Sequence, residues 1–474
     1  MTNDVSRAYF YAPVQEGQYI YVKLPPEDTL PGEEQMCGRL NYSMYGTRRA
    51  ATNWQAHYTK VLIQNGFVTG LANNCTFYNE EKNVYCMVHG DDFISTGTDA
   101  SLKWLESVLA KQFKIKTSLI GPDTKDEKEL KILNRIIRFT KNGIELEADL
   151  RHAELIVSQL GLKESKELTC PSADEVKRED DEIELNSEYT TQYKSIVARA
   201  NYLSTDRPDI QYAVKKLATS MSKPTNRNWQ ELKRLGRYLK GKPRLVIKYD
   251  WQNPIKVLTS FSDSDWAGDR KSRKSTSGGV ITIGSHYIKS WSKNQSVIAL
   301  SSAEAELYAI IKTSSETLGI ISILKDWNMI YKADIMADAS AALGIIGRTG
   351  LGKLRHIDTS YLWLQQESIK KKLKMNKVPG TENPADMNTK GLSGDEISKY
   401  TKKLNMKYEE GRAELAPEVH QVVNKQKCTR FNSTSSKITH KTKTRNTQQK
   451  DLRKSICECG CEGMWMFCKD NPKA

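Results

Sequence analysis

Four carboxylates stand in short, similar contexts between residues 261 and 390. They are Asp263 in FSDSDWAG, Glu306 in SSAEAELYAI, Asp338 in DIMADASAA and Asp386 in TENPADMNTK. Each sits at the end of an apolar stretch with strand-like or helix-like patterning, so it can point into a shared cleft instead of lying on a solvated face. Four acids with little basic compensation suit a pair of hard divalent cations, which prefer oxygen ligands. Two such ions can clamp the attacking water and the leaving oxygen of a phosphodiester. Any one Asp or Glu is most simply a surface residue; four matched contexts in order point to chemistry.

The elements that must position these acids are legible in outline. Leu258, Ser260 and Ser262 alternate up to Asp263, which therefore ends a strand. AELYAI reads as a helix entry with Leu307, Ile310 and Ile311 on the buried side, which puts Glu306 at the cleft end. Asp265 and Glu304 are alternatives two positions away, and Glu306 is preferred on its helical placement. Further upstream, NVYCMVHGDDFISTG reads as a β-hairpin: Val84–Val88 out, Gly90 opening the turn, Phe93–Ser95 back. That turn presents Asp91 and Asp92 side by side, and adjacent like charges favour a neutralising cation. Residues 100–118 read as an amphipathic helix carrying Leu102, Leu105, Val108, Leu109 and Phe113, and residues 149–163 as another. Between them two strands join at Lys141-Asn142-Gly143. Arg135, Arg138, Lys141 and Arg151 either meet phosphates or lie on a solvated face.

Lys and Arg outnumber Asp and Glu by 72 to 57 over 474 residues, a net charge of +15. That balance favours a polyanionic partner such as nucleic acid. No apolar stretch approaches membrane-spanning length and the start, MTNDVSRAYF, lacks a secretory core, so no membrane partner and an intracellular, cytoplasmic or nuclear location are expected. Cys37, Cys75, Cys86 and Cys170 are scattered as reduced thiols would be. Residues 421–454 hold ten Lys or Arg against one acid, a composition that builds no core and should be disordered. Cys457, Cys459, Cys461 and Cys468 follow, but not in paired CxxC spacing, so they read as incidental sequence and no zinc is expected.

DSDWAGDRKSRKSTSGGVITIG, YIKSWSKNQSVIALSSAEAELYAI, RHIDTSYLWLQQ and VPGTENPADMNTKGL resemble the ribonuclease H domain of copia-type LTR retrotransposon polyproteins. The resemblance implies that Asp263, Glu306, Asp338 and Asp386 bind two Mg²⁺ or Mn²⁺ ions and cut the RNA strand of an RNA–DNA hybrid. Asp263 and Asp338 would share the metals. A general-base His in the final loop, used by some related nucleases, has no counterpart in VPGTENPAD, and His356 reads as structural. NDVSRAYF and HGDD resemble the reverse-transcriptase palm of the same polyproteins, so Asp4, Asp91 and Asp92 are the implied polymerase triad. Two metals are implied there too, on Asp4 and Asp91, with Tyr9 as the aromatic gate against a ribose 2′-hydroxyl. In MYGTRRAATNWQAHYTKVLIQNGF, Arg48 and Arg49 fall near the incoming nucleotide, where the family has Lys-Gln. His89-Gly90 replaces the family's Tyr-Val, and His89 reads as a packing or stacking substitute.

The segment 189–254 resembles the family's helical connection, with Pro208 opening a helix after Arg207. Lys233, Arg234 and Arg237 lie on its basic helix, a face suited to tracking a duplex through its phosphates.

The implied architecture is α+β and α/β multidomain. It comprises a truncated palm (1–118), a primer-grip-like hairpin and thumb (119–169), an acidic linker (170–188), the connection (189–254), a ribonuclease H-like domain (255–395) and a basic, disordered tail (396–474). Because the chain starts three residues before Asp4, the fingers are expected to be missing and polymerase activity impaired. RNA–DNA hybrid and single-stranded RNA or DNA are the expected partners. The alternative is a catalytically inactive nucleic-acid-binding remnant.

Overall fold

Alternation of buried residues builds the first sheet of the computed structural model, which describes residues 1–28, 31–32, 36–173 and 181–418. Strand β1 is Thr2–Val5; β2 (Tyr21–Lys23) and β3 (Cys37–Arg39) form a separate antiparallel ribbon. Helix α1 (Ala50–Gln64) precedes β4 (Val68–Thr69), β5 (Thr76–Asn79), β6 (Val84–His89) and β7 (Asp92–Thr96). In β6 the alternate residues Val84, Cys86 and Val88 are buried, the period expected of a strand with one face on a core. Helix α2 (Asp99–Gln112) buries Leu102, Leu105, Val108 and Leu109, with Thr98 as its N-cap. It ends before the expected limit of 118, because Phe113 is extended and Ile115–Ser118 becomes strand β8 on the edge beside β1. The sheet order is β4-β5-β6-β7-β1-β8, so β1 lies between β7 and β8.

Next come β9 (Glu129–Ile132), β10 (Arg135–Thr140) and β11 (Gly143–Glu147), then helices α3 (Arg151–Gln159), α4 (Ser187–Leu203), α5 (Gln211–Thr219) and α6 (Asn226–Gly241) and strand β12 (Arg244–Asp250). The helices share one apolar core that includes Ile156, Tyr193, Ile196, Val214, Leu232, Leu235 and Leu239. The third group comprises β13 (Val257–Asp265), β14 (Thr276–Ile283), β15 (His286–Asn294), α7 (Ser302–Asp326), β16 (Lys332–Ala337), α8 (Ser340–Ile346), α9 (Trp363–Ile369) and β17 (Leu373–Lys377). Its sheet runs β15-β14-β13-β16-β17, antiparallel on one side of β13 and parallel on the other.

Contrary to the sequence expectation, α7 has the length and apolar composition of a membrane-crossing helix. It packs instead on the third sheet: Leu307 and Ile310 join Ile335 and Ala337, while Ile320 and Leu324 reach Leu258 and Ile281. Thr317 Oγ1 lies 2.7 Å from Ser260 Oγ inside that contact.

The expected tail boundary at 396 is also corrected. It falls inside α10 (Gly394–Lys403), which opens on a Ser393/Glu396 capping box and leads to β18 (Met406–Glu409). Strand β18 pairs with β12, completing a second sheet of order β18-β12-β11-β10-β9. Cys457, Cys459, Cys461, Cys468 and the basic stretch 421–454 lie outside the described residues.

A buried polar knot ties these parts together. Arg207, 1% exposed, donates from Nε and Nη2 to the two oxygens of Asp209 at 2.9 and 2.7 Å. Nη1 donates to the Pro243 carbonyl and Nη2 also to that of Lys242, so four of the five guanidinium N–H groups are engaged. Tyr238 donates to Asp209 at 2.8 Å and meets Tyr408 of β18 at 2.9 Å. Truncating Arg207 leaves a buried carboxylate uncompensated, and Arg207→Ala should cost about 3–5 kcal/mol in chemical denaturation. A loss below 1 kcal/mol would show that water replaces the guanidinium.

Candidate metal centre and polymerase-like aspartates

Asp263 is the penultimate residue but one of β13, and Asp338 follows the last residue of β16. The two strands are parallel neighbours with Ser262 opposite Ala337, so the next residues, Asp263 and Asp338, emerge side by side toward the C-terminal ends of the two strands. Glu306 comes from the first turns of α7, whose N-cap Ser301 accepts from the Glu304 amide. Ser264 N–H and Oγ–H donate to Glu306 Oε1 at 3.2 and 3.0 Å, while the buried Oε2 has no hydrogen-bond partner. One oxygen from each of Asp263, Glu306 and Asp338 falls within 4.8 Å of the others, the one such acidic or thiol/imidazole group among the described residues.

Asp386 stands beside this group, not in it. It lies in the 3-10 turn Pro384–Asn388, begun by Asn383 accepting from the Ala385 amide. Asn383 Nδ2 donates to the Ser262 carbonyl at 2.9 Å and so moors the turn to β13. The turn comes close to β14 at Gly278, where a Cβ would lie 2.7 Å from Thr389 Cγ2 and 2.9 Å from the Ala385 carbonyl. Gly278 is also the residue paired with Asp263 across the ladder, so its missing side chain admits the Asp386 turn over the site.

The expectation of little basic compensation fails at Lys390. Its Nζ lies 3.1 Å from Asp386 Oδ1 and 3.9 Å from Asp263 Oδ2. Thr389 Oγ1 donates to Asp263 Oδ2. Neither residue stood out in the sequence, although both belong to the TENPADMNTK segment. Burial, then Asp386, pushes the Asp263 carboxyl up to about 8 against the opposing pull of Lys390 and Thr389. Burial raises Glu306 to about 7, with Ser264 holding it down and Asp338 adding to the rise. Asp338 is raised by burial and by Asp386. These carboxylates are crowded and short of cation, and an all-oxygen donor set with a buried, unpartnered Glu306 Oε2 fits hard divalent ions such as Mg²⁺ or Mn²⁺.

The neighbouring acids are engaged elsewhere. Asp265 accepts from Thr276 N–H and from Thr276 Oγ1, which Lys215 also contacts at 2.7 Å. Glu304 accepts from the Leu300 amide and Tyr308 Oη and pairs with His356 Nε2 at 2.9 Å.

In the first sheet Asp4 of β1 is the direct partner of Asp92 of β7, and Asp91 occupies the adjoining turn. Trp54 Nε1 donates to the Gly90 carbonyl at 2.7 Å and the Val5 amide to that of Asp91 at 3.0 Å, which fastens the turn from both sides. Burial, then Asp91 and Asp4, raises the Asp92 carboxyl, while His89 pulls it down. Asp4, Asp91 and Asp92 do not converge as tightly as the Asp263 group. Tyr9 lies against Tyr45 with ring centroids 4.4 Å apart. The sequence did not single out Tyr45, whose hydroxyl is raised by burial and next by Asp91. Arg48 and Arg49 are exposed just before α1.

The basic face of α6 is partly committed to the chain itself. Arg237 Nε donates to the Lys166 carbonyl at 2.6 Å and Arg234 Nη1 contacts Cys170 Sγ at 3.6 Å, while Lys233, just before Arg234, is half-buried. Arg135, Arg138 and Arg151 pair with Asp206, with Glu129 and Glu147, and with Asp149 respectively. Each of these guanidiniums is thus paired with a carboxylate of the chain itself.

Residues 2–139 match the family described as reverse transcriptase (RNA-dependent DNA polymerase). The retrovirus-related Pol polyprotein from transposon RE1 of Arabidopsis thaliana is 28% identical over 85% of this chain and 27% of its own length. That from transposon TNT 1-94 of Nicotiana tabacum is 26% identical over 82% of this chain and 29% of its length. An uncharacterized mitochondrial protein of Arabidopsis thaliana is 31% identical over 49% of this chain and 92% of its own. A foamy viral protease-reverse transcriptase solved in complex with RNA/DNA hybrid aligns at TM-score 0.48, with 12% identity over 80% of this chain and 44% of that one, a likeness too loose to build on. The chain spans little more than a quarter of the length of the polyproteins it matches. With a reverse-transcriptase segment at its start and polyprotein similarity along more than four-fifths of its length, the chain belongs to the retrovirus-related Pol polyproteins of copia-type transposons.

Proposed function

We propose that the third sheet and its helices form a ribonuclease H that hydrolyses the RNA strand of an RNA–DNA hybrid. The observation that carries this reading is the convergence of Asp263, Glu306 and Asp338 within 4.8 Å, with an unpartnered buried oxygen on Glu306. Two divalent ions bound there would supply a nucleophilic water and stabilise the leaving oxygen. The chain's own residues prepare the place. Ser264 fixes one oxygen of Glu306 and leaves the other to ligate. Thr389 orients Asp263, and Lys390 balances Asp263 and Asp386 before loading. The basic excess of the chain favours a polyanionic substrate.

A second activity on the same hybrid, RNA-directed DNA polymerisation, is supported by the pairing of Asp4 with Asp92 beside Asp91 and by Tyr9 packed on Tyr45. There Asp4 and Asp91 would hold the ions, and Tyr9 would crowd a ribose 2′-hydroxyl.

Cleavage by the full chain and by one variant tests the nuclease. The full chain with Mg²⁺ or Mn²⁺ should cut RNA in a hybrid and spare the same RNA as a single strand. Asp338→Asn, which removes a ligand charge at nearly constant volume, should abolish cutting while leaving the chain folded. Undiminished cleavage by that variant would refute the site, and no cleavage by the unmodified chain would favour an inactive binding remnant.

Thr389→Ala should lower hybrid cleavage or metal affinity by about 10–100-fold, the range for residues that orient a metal ligand. An effect confined to stability would make Thr389 structural only.

The crowded carboxyls also impose a pH dependence. The Asp263 and Glu306 carboxyls stand near 8 and 7 in the folded chain, above their ordinary values of 3.8 and 4.5. The folded state therefore holds protons that the unfolded state has lost, and stability falls as pH rises toward and through those values. In chelator, the melting temperature should drop from pH 6 to pH 9. Added Mg²⁺ should restore most at the alkaline end. Asp263→Asn should flatten the metal-free slope; an unchanged slope would assign it to other groups.

A further inference from the structure

Helix α7 carries Glu306 near one end and Asp326 as its last residue, about 30 Å apart at about 1.5 Å rise per residue. Asp326 takes no part in the nuclease sheet. Its Oδ1 accepts the Leu71 amide at 2.9 Å, and its Oδ2 accepts those of Ala72 and Asn73 at 2.8 and 3.2 Å. Three successive backbone N–H groups around one carboxylate form an anion-binding concavity, and such charge-assisted bonds are the stronger class. The loop is shaped to hold it. Asn73 Oδ1 accepts from the Cys75 amide at 3.0 Å and Thr76 Oγ1 donates to the Asn73 carbonyl at 2.7 Å. A Cβ on Gly70 would come within 2.6 Å of Asp326 Oδ2, so only glycine permits this approach. Leu71 at the tip is 99% exposed, so its own burial does not anchor the loop.

The neighbouring Trp327 sets its ring edge-on to Tyr85 at 5.9 Å, and Tyr85 stacks on Tyr78 at 4.8 Å. Tyr85 belongs to β6, the strand that runs directly to the Asp91-Asp92 turn. A continuous path of ordered structure therefore joins the nuclease acids to the polymerase-like aspartates: Glu306, α7, Asp326 with Trp327, the 70–73 loop with Tyr85, β6 and Asp91.

We infer that Asp326 is a positioning residue that fixes the span between the two acidic centres, so that one hybrid duplex engages both at a set separation. The inference rests on the functions proposed above. Rigid placement matters because small misplacements of a substrate are costly in rate.

The test uses the full chain with an RNA template annealed to a shorter DNA that leaves a recessed DNA 3′ end, in Mg²⁺. The unmodified chain should cut the RNA in one cluster at a constant distance from that end. Asp326→Ala should broaden the cluster about two-fold or more, since cutting reports where the duplex sits. Its cutting of a blunt hybrid should stay the same, because every nuclease acid is intact. Asp326→Asn, which keeps one acceptor oxygen, should fall between. An unchanged cluster, or cuts by the unmodified chain that bear no relation to the 3′ end, would overturn the inference.

A second measurement needs no cleavage. Dyes carried on unnatural amino acids at the exposed positions Glu81 and Lys370 should give one narrow energy-transfer peak in the unmodified chain and a broad one in Asp326→Ala. Equal widths would overturn the inference whether or not the chain cuts RNA. Absent cutting with a broadened peak would sink only the nuclease proposal.

Discussion

Everything in the third sheet answers to one electrostatic problem, which is that carboxylates brought together out of water repel one another and resist ionisation. Asp263, Glu306 and Asp338 lie within 4.8 Å, and burial is the leading cause of the upward shift of each. A fold that maintains such a group must supply hydrogen bonds and positive charge, or leave room for a cation. Here Ser264 and Thr389 supply the first and Lys390 the second, while Glu306 Oε2 is left open. Gly278 belongs to the same solution, because the turn bearing Asp386 reaches the site only where β14 has no side chain.

The helical middle of the chain solves a different problem, that of joining distant segments. Arg207 and Asp209 form a buried pair whose further hydrogen bonds run to Lys242, Pro243 and Tyr238. Through Tyr408 the same knot reaches β18, more than 190 residues downstream of Asp209 in sequence. Buried ion pairs are weak evidence for net stability, since desolvation offsets much of their attraction. Their value here is specificity: only one register of β18 on β12 puts Tyr408 beside Tyr238 and Asp209.

The first sheet is organised by aromatic packing around Trp54, whose ring meets Tyr58, Phe93 and Phe113 while its N–H holds the Gly90 carbonyl. The same residue thus serves the core and sets the position of the Asp91-Asp92 turn. Such double use ties a short strand–turn–strand element with two adjacent charges to the core.

The sequence by itself determined the local elements and the identity of the family. Alternation marked β6 and β13, and helical spacing marked α2 and α7. The GDD turn and the TENPADMNTK and AELYAI segments carried the resemblance that the polyprotein relatives support. These features depend on neighbours a few residues apart, and short-range periodicity records them. What lies far apart in sequence was decided only by tertiary structure. Ile115–Ser118 left the expected helix because β1 offered an edge, and Met406–Glu409 left the expected tail because β12 did. Lys390 became a partner of Asp263 although more than 120 residues separate them, and Arg135, Arg138 and Arg151 were claimed by carboxylates that no local pattern singled out. The reason is physical: a hydrogen-bond ladder or an ion pair needs two partners, and the sequence of one does not say where the chain will bring the other.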